Sequence, residues 1–170
     1  MEKLSLTQRL AFRMMSLIHE DLYLLIRNPE KTLKAAGIRT GQQVLEVGCG
    51  PGFFTGPAAR LLEPGGRLVT LDINPLATQR VAEKVRDSGA RNVEILLKDA
   101  AETGLPSGHF DLAFVFGVSW RGAGREDAYQ ELYRVLKPDG ILAIEGRQCP
   151  PESLFALQGR TGMIRRYGRA

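Results

Sequence analysis

Residues 44–52 read Val44-Leu45-Glu46-Val47-Gly48-Cys49-Gly50-Pro51-Gly52, an apolar run interrupted by one acid and followed by three glycines at alternate positions. Glycines spaced in this way let a backbone turn tightly and let a ligand approach without interference from a Cβ. Phe53-Phe54-Thr55 follows and leads into a helix. The N-terminus of that helix offers unpaired N–H groups and a positive dipole end to the same bend. Alone, such a bend suits a plain tight turn as well as a nucleotide site. A second acid, Asp72, ends the next apolar run. It stands about 20 residues beyond Gly52, where a carboxylate can accept hydrogen bonds from the vicinal hydroxyls of a ribose. Helix capping, the other common task of an acid at a strand end, is already supplied by Asn74.

Two details separate a dinucleotide from another adenosyl ligand. The spacing Gly48, Gly50, Gly52 is not G-x-G-x-x-G, and Phe53 fills the place where a dinucleotide fold needs a small residue for close helix–strand packing. Glu46 lies in the strand just ahead of the bend. A carboxylate there would repel a pyrophosphate but suit an ammonium or a sulfonium.

The elements that must position these residues follow from the surrounding pattern. Apolar runs at Val44–Val47, Leu68–Asp72, Val93–Leu97, Leu112–Phe116 and Ile141–Ile144 read as strands. Between them lie helical segments: one opened by Asn74-Pro75 and closed at Gly89, and one near Glu126–Leu136 that stops at Lys137-Pro138-Asp139-Gly140. Continuous apolar strands alternating with helices predict an α/β, doubly wound, Rossmann-like sheet, mostly parallel, with helices on both faces. Ahead of it, Ser5 to about Glu20 reads as a helix with a Ser5-x-x-Gln8 capping box, and a short helix follows Pro29 to Gly37. Residues 1–40 are therefore expected to form a helical lid, and residues 41–170 the ligand-binding unit.

Composition excludes several alternatives. At 170 residues, 44% hydrophobic and 25% charged, the chain has the make-up of one folded domain. The two cysteines, Cys49 and Cys149, cannot form a disulfide framework or a four-cysteine metal site, so no metal is expected and a reducing, cytoplasmic setting fits. The longest apolar stretch near the N-terminus, Leu22–Ile26, is far short of the roughly 20 residues of a membrane span. Residues 1–41 and 147–170 are basic while the middle is weakly acidic. That distribution argues against nucleic-acid binding over one basic face.

With these residues in hand, the chain resembles the class I S-adenosylmethionine-dependent methyltransferases. The resemblance is carried by residues 44–52, Leu71-Asp72-Ile73, Lys98-Asp99-Ala100, residues 110–116 and residues 132–140. It implies S-adenosyl-L-methionine as cofactor, with Gly48, Cys49, Gly50 and Gly52 passing under its methionyl and ribose parts. Glu46 would attract the methionyl ammonium, directly or through water. Asp72 would hold the ribose hydroxyls, Ile73 would pack on the adenine, and Asp99 and the Ala100 N–H would meet the adenine edge. Phe116 and Gly117 would line the methionyl side. Cys49 would fill space, having no basic neighbour to make it a nucleophile.

The resemblance implies methyl transfer to a small, lipophilic acceptor; the alternative is a non-catalytic module that keeps the cofactor fold. No catalytic residue is identified: in-line transfer needs alignment first, and a base only where the acceptor must lose a proton. His19 and His109 read as helix and turn residues. After the fourth strand, Phe116-Gly117-Val118-Ser119 lacks the Asn/Asp-Pro-Pro-aromatic motif of the family's nucleic-acid base methylators. Phe12, Met14, Met15, Leu22–Ile26, Trp120 and Arg121 are candidate acceptor contacts. Beyond Glu145, the expectation is a helix over Pro151–Gln158 and one short strand near Met163–Tyr167, leaving out the family's seventh strand. The exposed sheet edge would then be covered by a homodimer partner or by a tail folding back over it.

Overall fold

The computed structural model describes residues 28–118 and 124–170. The expected Ser5–Glu20 helix, residues 1–27 of the expected lid, His19, Phe12, Met14, Met15, Leu22–Ile26, Ser119, Trp120 and Arg121 lie outside them.

The first described helix, α1 (Pro29–Ala36), starts and stops where its sequence dictates. Asn28 Oδ1 accepts from Lys31 N at 3.0 Å, Pro29 occupies the first turn, and Gly37 closes the helix at φ 100°. The strands β1 (Gln43–Val47), β2 (Arg67–Asp72), β3 (Val93–Leu97), β4 (Phe110–Val115) and β5 (Leu136–Glu145) alternate with α2 (Thr55–Leu62), α3 (Pro75–Ser88) and α4 (Gly124–Val135). In α3, Asn74 Oδ1 accepts from Leu76 N, Pro75 follows, and Gly89 at φ 70° ends it.

With β6 (Phe155–Thr161) and β7 (Ile164–Arg169), the seven-stranded sheet has the order β3-β2-β1-β4-β5-β7-β6. Pairs among β1 to β5 are parallel, whereas β7 runs antiparallel to both β5 and β6. Alternate strand residues point to opposite faces, and two cores result. Leu45, Val47, Leu71 and Val115 join Tyr129 and Leu132 of α4 on one face. Val44, Leu68, Leu112 and Phe114 join Leu33 of α1 and Ala58 and Leu62 of α2 on the other. Because β1 and β4 are central and covered on both sides, Leu45, Val44, Leu112 and Ala113 are essentially inaccessible.

The C-terminal segment departs from expectation. Residues 155–161 form β6 instead of a helix, and with β7 they complete seven strands. In place of a helical start, the Leu154 and Phe155 amides both donate to Pro151 O, a turn that feeds the strand. Two features hid this strand. Its Ala156-Leu157-Gln158 stretch lies exposed at the sheet edge, so no apolar alternation marks it, and a register shift between Leu157 and Gly159 interrupts the pairing. Pairing with β7 decides the conformation, overriding local preference. Of the two ways proposed to cover the β5 edge, the chain uses its own tail: Gly168, Tyr167, Arg166, Arg165 and Ile164 pair with Ile141–Glu145. The reason for expecting a homodimer is thereby removed. The edge moves to β6, where the bulge and exposed Arg160 disfavour further strand addition.

Candidate functional site

In open parallel sheets the ligand crevice lies beyond the carboxyl ends of the strands, where the strand order reverses. Here the reversal falls between β1 and β4, and a cavity of about 560 Å³ opens there, a size suited to a small ligand.

Its floor is the bend after β1. The Gly48 and Cys49 amides both donate to Leu71 O, at 2.8 and 3.2 Å, stitching the bend to the end of β2. Gly48 has φ 74°, and a Cβ on it would overlap Val118 Cγ2. Gly50 has φ 50°, and a Cβ there would meet nothing within 4 Å. Gly48 is thus required by the protein's own packing, whereas Gly50 leaves open space on the cavity side.

Asp72 closes β2 and holds the bend. Its Oδ2 accepts from Gly50 N at 2.9 Å and its Oδ1 from Asn74 N at 2.8 Å. A carboxylate has about four acceptor positions, so two remain for a ligand's hydroxyls. Beside it Ile73 is 70% exposed. An apolar side chain so bare, next to a polar anchor, offers a surface for a flat aromatic ring. Across the cavity, Asp99 Oδ1 accepts from Ala101 N at 2.9 Å, shaping the turn after β3 in which Ala100 is buried.

Seven of the expected residues are brought together on the cavity wall: Gly48, Gly50, Asp72, Ile73, Asp99, Ala100 and Gly117. Four stand behind it. Phe116 packs against Phe54 and Phe114 in the core. Gly52 donates its N–H to Cys49 O at 2.9 Å, and a Cβ on it would press Val81 at 3.0 Å. Cys49 packs with Ala77 and Val81. Burial, with Glu46 and Asp72 nearby, pushes its thiol up, which suits a space-filling residue and not a nucleophile.

Glu46 is also behind the wall, only 2% exposed. Its Oε2 accepts from Thr55 Oγ1 at 2.7 Å and from Thr70 Oγ1 at 2.8 Å. Burial raises its carboxyl from 4.5 to about 7, a rise that the two hydroxyls oppose and the Asp72 charge assists. The side chain ties the bend (through α2) to β2, so any pull on a cationic ligand is exerted from beneath the glycines.

Sequence reasoning missed seven wall residues, Gly124 among them. Val47, Leu71, Val118 and Ala128 give an apolar lining, and Lys98 and Arg125 bring positive charge. Lys98 could have been found from its place beside Asp99. Arg125 carries no motif; only the packing of α4 against β4 and β5 brings it to the cavity. Among the described residues, no group of three His, Cys, Asp or Glu is arranged to hold a metal ion.

Residues 44–140 match the family model described as a methyltransferase domain. The chain is 32% identical over 127 residues to the ubiquinone/menaquinone biosynthesis C-methyltransferase UbiE of Pseudomonas fluorescens (strain SBW25), over 74% of this chain and 49% of that protein. It spans about half the length of the curated relatives it matches. Among solved structures, a SAM-dependent methyltransferase from Aquifex aeolicus superposes with a TM-score of 0.75 at 22% identity, covering 98% of both chains. Coclaurine N-methyltransferase, in a structure bound to N-methylheliamine and SAH, superposes with a TM-score of 0.59 at 22% identity, over 85% of this chain and 38% of that one. These two likenesses concern the fold.

Proposed function

The chain belongs to the class I S-adenosylmethionine-dependent methyltransferases, and we propose that it transfers a methyl group from S-adenosylmethionine to a small, lipophilic acceptor. The observation that carries this reading is the arrangement at the end of β2: a carboxylate bonded to the Gly50 amide, with a bare isoleucine alongside. That pairing suits a ribose and an adenine, and the open space over Gly50 leaves room for the chain between them and the sulfur.

When bound, the cofactor supplies an electrophilic methyl group on a sulfonium. The rest is the work of the protein. Asp72 would orient the ribose through its two remaining acceptor positions. Ile73 and Ala100 would hold the adenine, with Asp99 at its edge. Gly48, Gly50 and Gly117 would let the backbone come close to the methionyl part, and buried Glu46, Cys49, Gly52 and Phe116 would keep that backbone in place. Alignment of two bound partners lowers a barrier by about 7–11 kcal/mol in favourable cases, so a fixed bend contributes to the rate even without a base. The apolar wall of Val47, Leu71, Val118 and Ala128 supports a lipophilic acceptor, as do the quinone-biosynthesis C-methyltransferases among the relatives. Nucleic acid is not part of this reading. Both cysteines are free, consistent with a reducing, cytoplasmic setting, and among the described residues no helix is long and apolar enough to cross a membrane.

Calorimetric titration with S-adenosylmethionine, S-adenosylhomocysteine and NAD, followed by a screen for labelled methyl transfer into cell extract, tests the proposal. Affinity for the first two ligands together with labelled product supports it. Binding without turnover would favour the cofactor-binding module, and a preference for NAD would end the methyltransferase reading.

A further inference from the structure

The cavity has two ends. Asp99 and Ala100 follow β3, Asp72 and Ile73 end β2, and Gly117, Val118 and Arg125 follow β4 on the other side of β1. Ribose and adenine contacts at β2 and β3 leave the β4 end for the transferred group and its acceptor.

At that end stands a guanidinium with no carboxylate partner among the described residues. Arg125 Nη2 donates to the backbone oxygen of Cys149 at 2.5 Å, and its Cζ lies 5.7 Å from the centre of the Tyr129 ring. Both anchors are electrically neutral at ordinary pH, so they fix the side chain without cancelling its charge. An arginine presents five donors in a fixed fork; the Cys149 carbonyl and the Tyr129 hydroxyl engage part of it, and Arg125 lines the cavity with the rest. The neighbouring Gln148 braces the wall residue Val118. Gln148 Nε2 donates to Val118 O at 2.7 Å.

We propose that Arg125, on the cavity wall, is a specificity-determining residue that recognises an ionised oxygen on the methyl acceptor. The acceptor class is then a small hydroxy acid or acidic phenol on an otherwise apolar frame, an assignment that rests on the methyl-transfer function proposed above. Where that ionised oxygen is itself the methyl acceptor, it forms the new O–C bond as the S–C bond breaks and S-adenosylhomocysteine leaves as a neutral thioether, so no base is needed.

The test uses matched aromatic pairs, 3,4-dihydroxybenzoate with 3,4-dihydroxybenzamide and 4-hydroxybenzoate with 4-hydroxybenzamide, titrated into the S-adenosylhomocysteine-bound protein. Hydrogen bonds to charged groups exceed neutral ones by about twofold in strength, so at least one acid should bind about tenfold or more tightly than its amide. Arg125→Leu should abolish that preference and Arg125→Lys should keep part of it, with S-adenosylhomocysteine affinity retained in both. Equal binding of acid and amide in both pairs overturns the proposal. So does a loss of S-adenosylhomocysteine affinity in Arg125→Leu, which would put the guanidinium on the cofactor's own carboxylate. Failure of the unmodified protein to bind S-adenosylhomocysteine at all would instead sink the methyl-transfer function on which the assignment rests.

Discussion

The Gly50 amide donates to Asp72 Oδ2 across 2.9 Å, joining the glycine bend to the strand-end acid from 22 residues away in sequence. The acid therefore shapes the bend as well as lining the cavity. Asp72→Ala removes both contributions. Hydrogen bonds to a charged group are worth about 1.5–3 kcal/mol each, so S-adenosylmethionine affinity should fall by at least about tenfold. Asp72→Asn, which keeps one acceptor oxygen, should lose less. Calorimetric titration of both variants checks the order.

Gly48 and Gly50 should respond differently to the same substitution. In Gly48→Ala the methyl overlaps Val118 and sits at φ 74°, a combination costing about 1–3 kcal/mol in stability. For a chain of this size each kcal/mol lowers the midpoint of thermal unfolding by about 2–4 °C. In Gly50→Ala the methyl enters open space, so melting should change less while cofactor affinity drops. Differential scanning calorimetry with and without ligand separates the two.

The buried Glu46 predicts a pH dependence with a definite sign. Its carboxyl is raised from 4.5 to about 7 in the fold, so between those values the folded protein binds more protons than the unfolded one. Stability from this residue is then fully present below pH 4.5 and is lost as pH rises through about 7. Glu46→Gln keeps the shape and removes the titration. It should stabilise the protein relative to wild type at pH 8, by an amount on the order of 1–3 kcal/mol, and show little advantage near pH 4.5. Urea unfolding at the two pH values measures the difference.

How far the site could be read from sequence depends on where each residue's environment is made. Gly48, Gly50, Asp72 and Asn74 act within local turns and a strand pair, so spacing alone revealed them. The role of Glu46 was only half visible: its partners Thr55 and Thr70 lie 9 and 24 residues on, and nothing local shows that they bury it. Arg125 depends on the packing of α4 against the sheet and on Cys149, 24 residues on. The β6 strand was misread for a related reason, since its exposed edge needs no apolar alternation.

Glu131 makes a prediction for the β3 side of the cavity. Its Oε1 accepts from Thr103 N at 3.1 Å and Thr103 Oγ1, while Arg134 reaches both oxygens and also donates to Ser107 Oγ and Leu105 O. This pair pins the loop that follows Asp99. The Arg134 hydrogen bond, against an opposing effect of burial, holds the Glu131 carboxyl down at about 2. Its contribution is therefore present above pH 4.5 and lost only as pH falls through about 2. Glu131→Ala should cost about 2–3 kcal/mol, as expected for hydrogen bonds to a charged group. It should also speed hydrogen exchange over residues 101–108, which mass spectrometry would detect.

The antiparallel strand β7 lies between β5 and β6, although it follows β6 along the chain. During synthesis, then, β6 leaves the ribosome before there is any place in the sheet for it to join. It must wait, loose or folded against its successor as a hairpin, until β7 can slot in beside β5. A nascent chain halted within residues 155–163 would carry a nearly finished sheet with an open flank, and that interval is when a chaperone would have the most to cover.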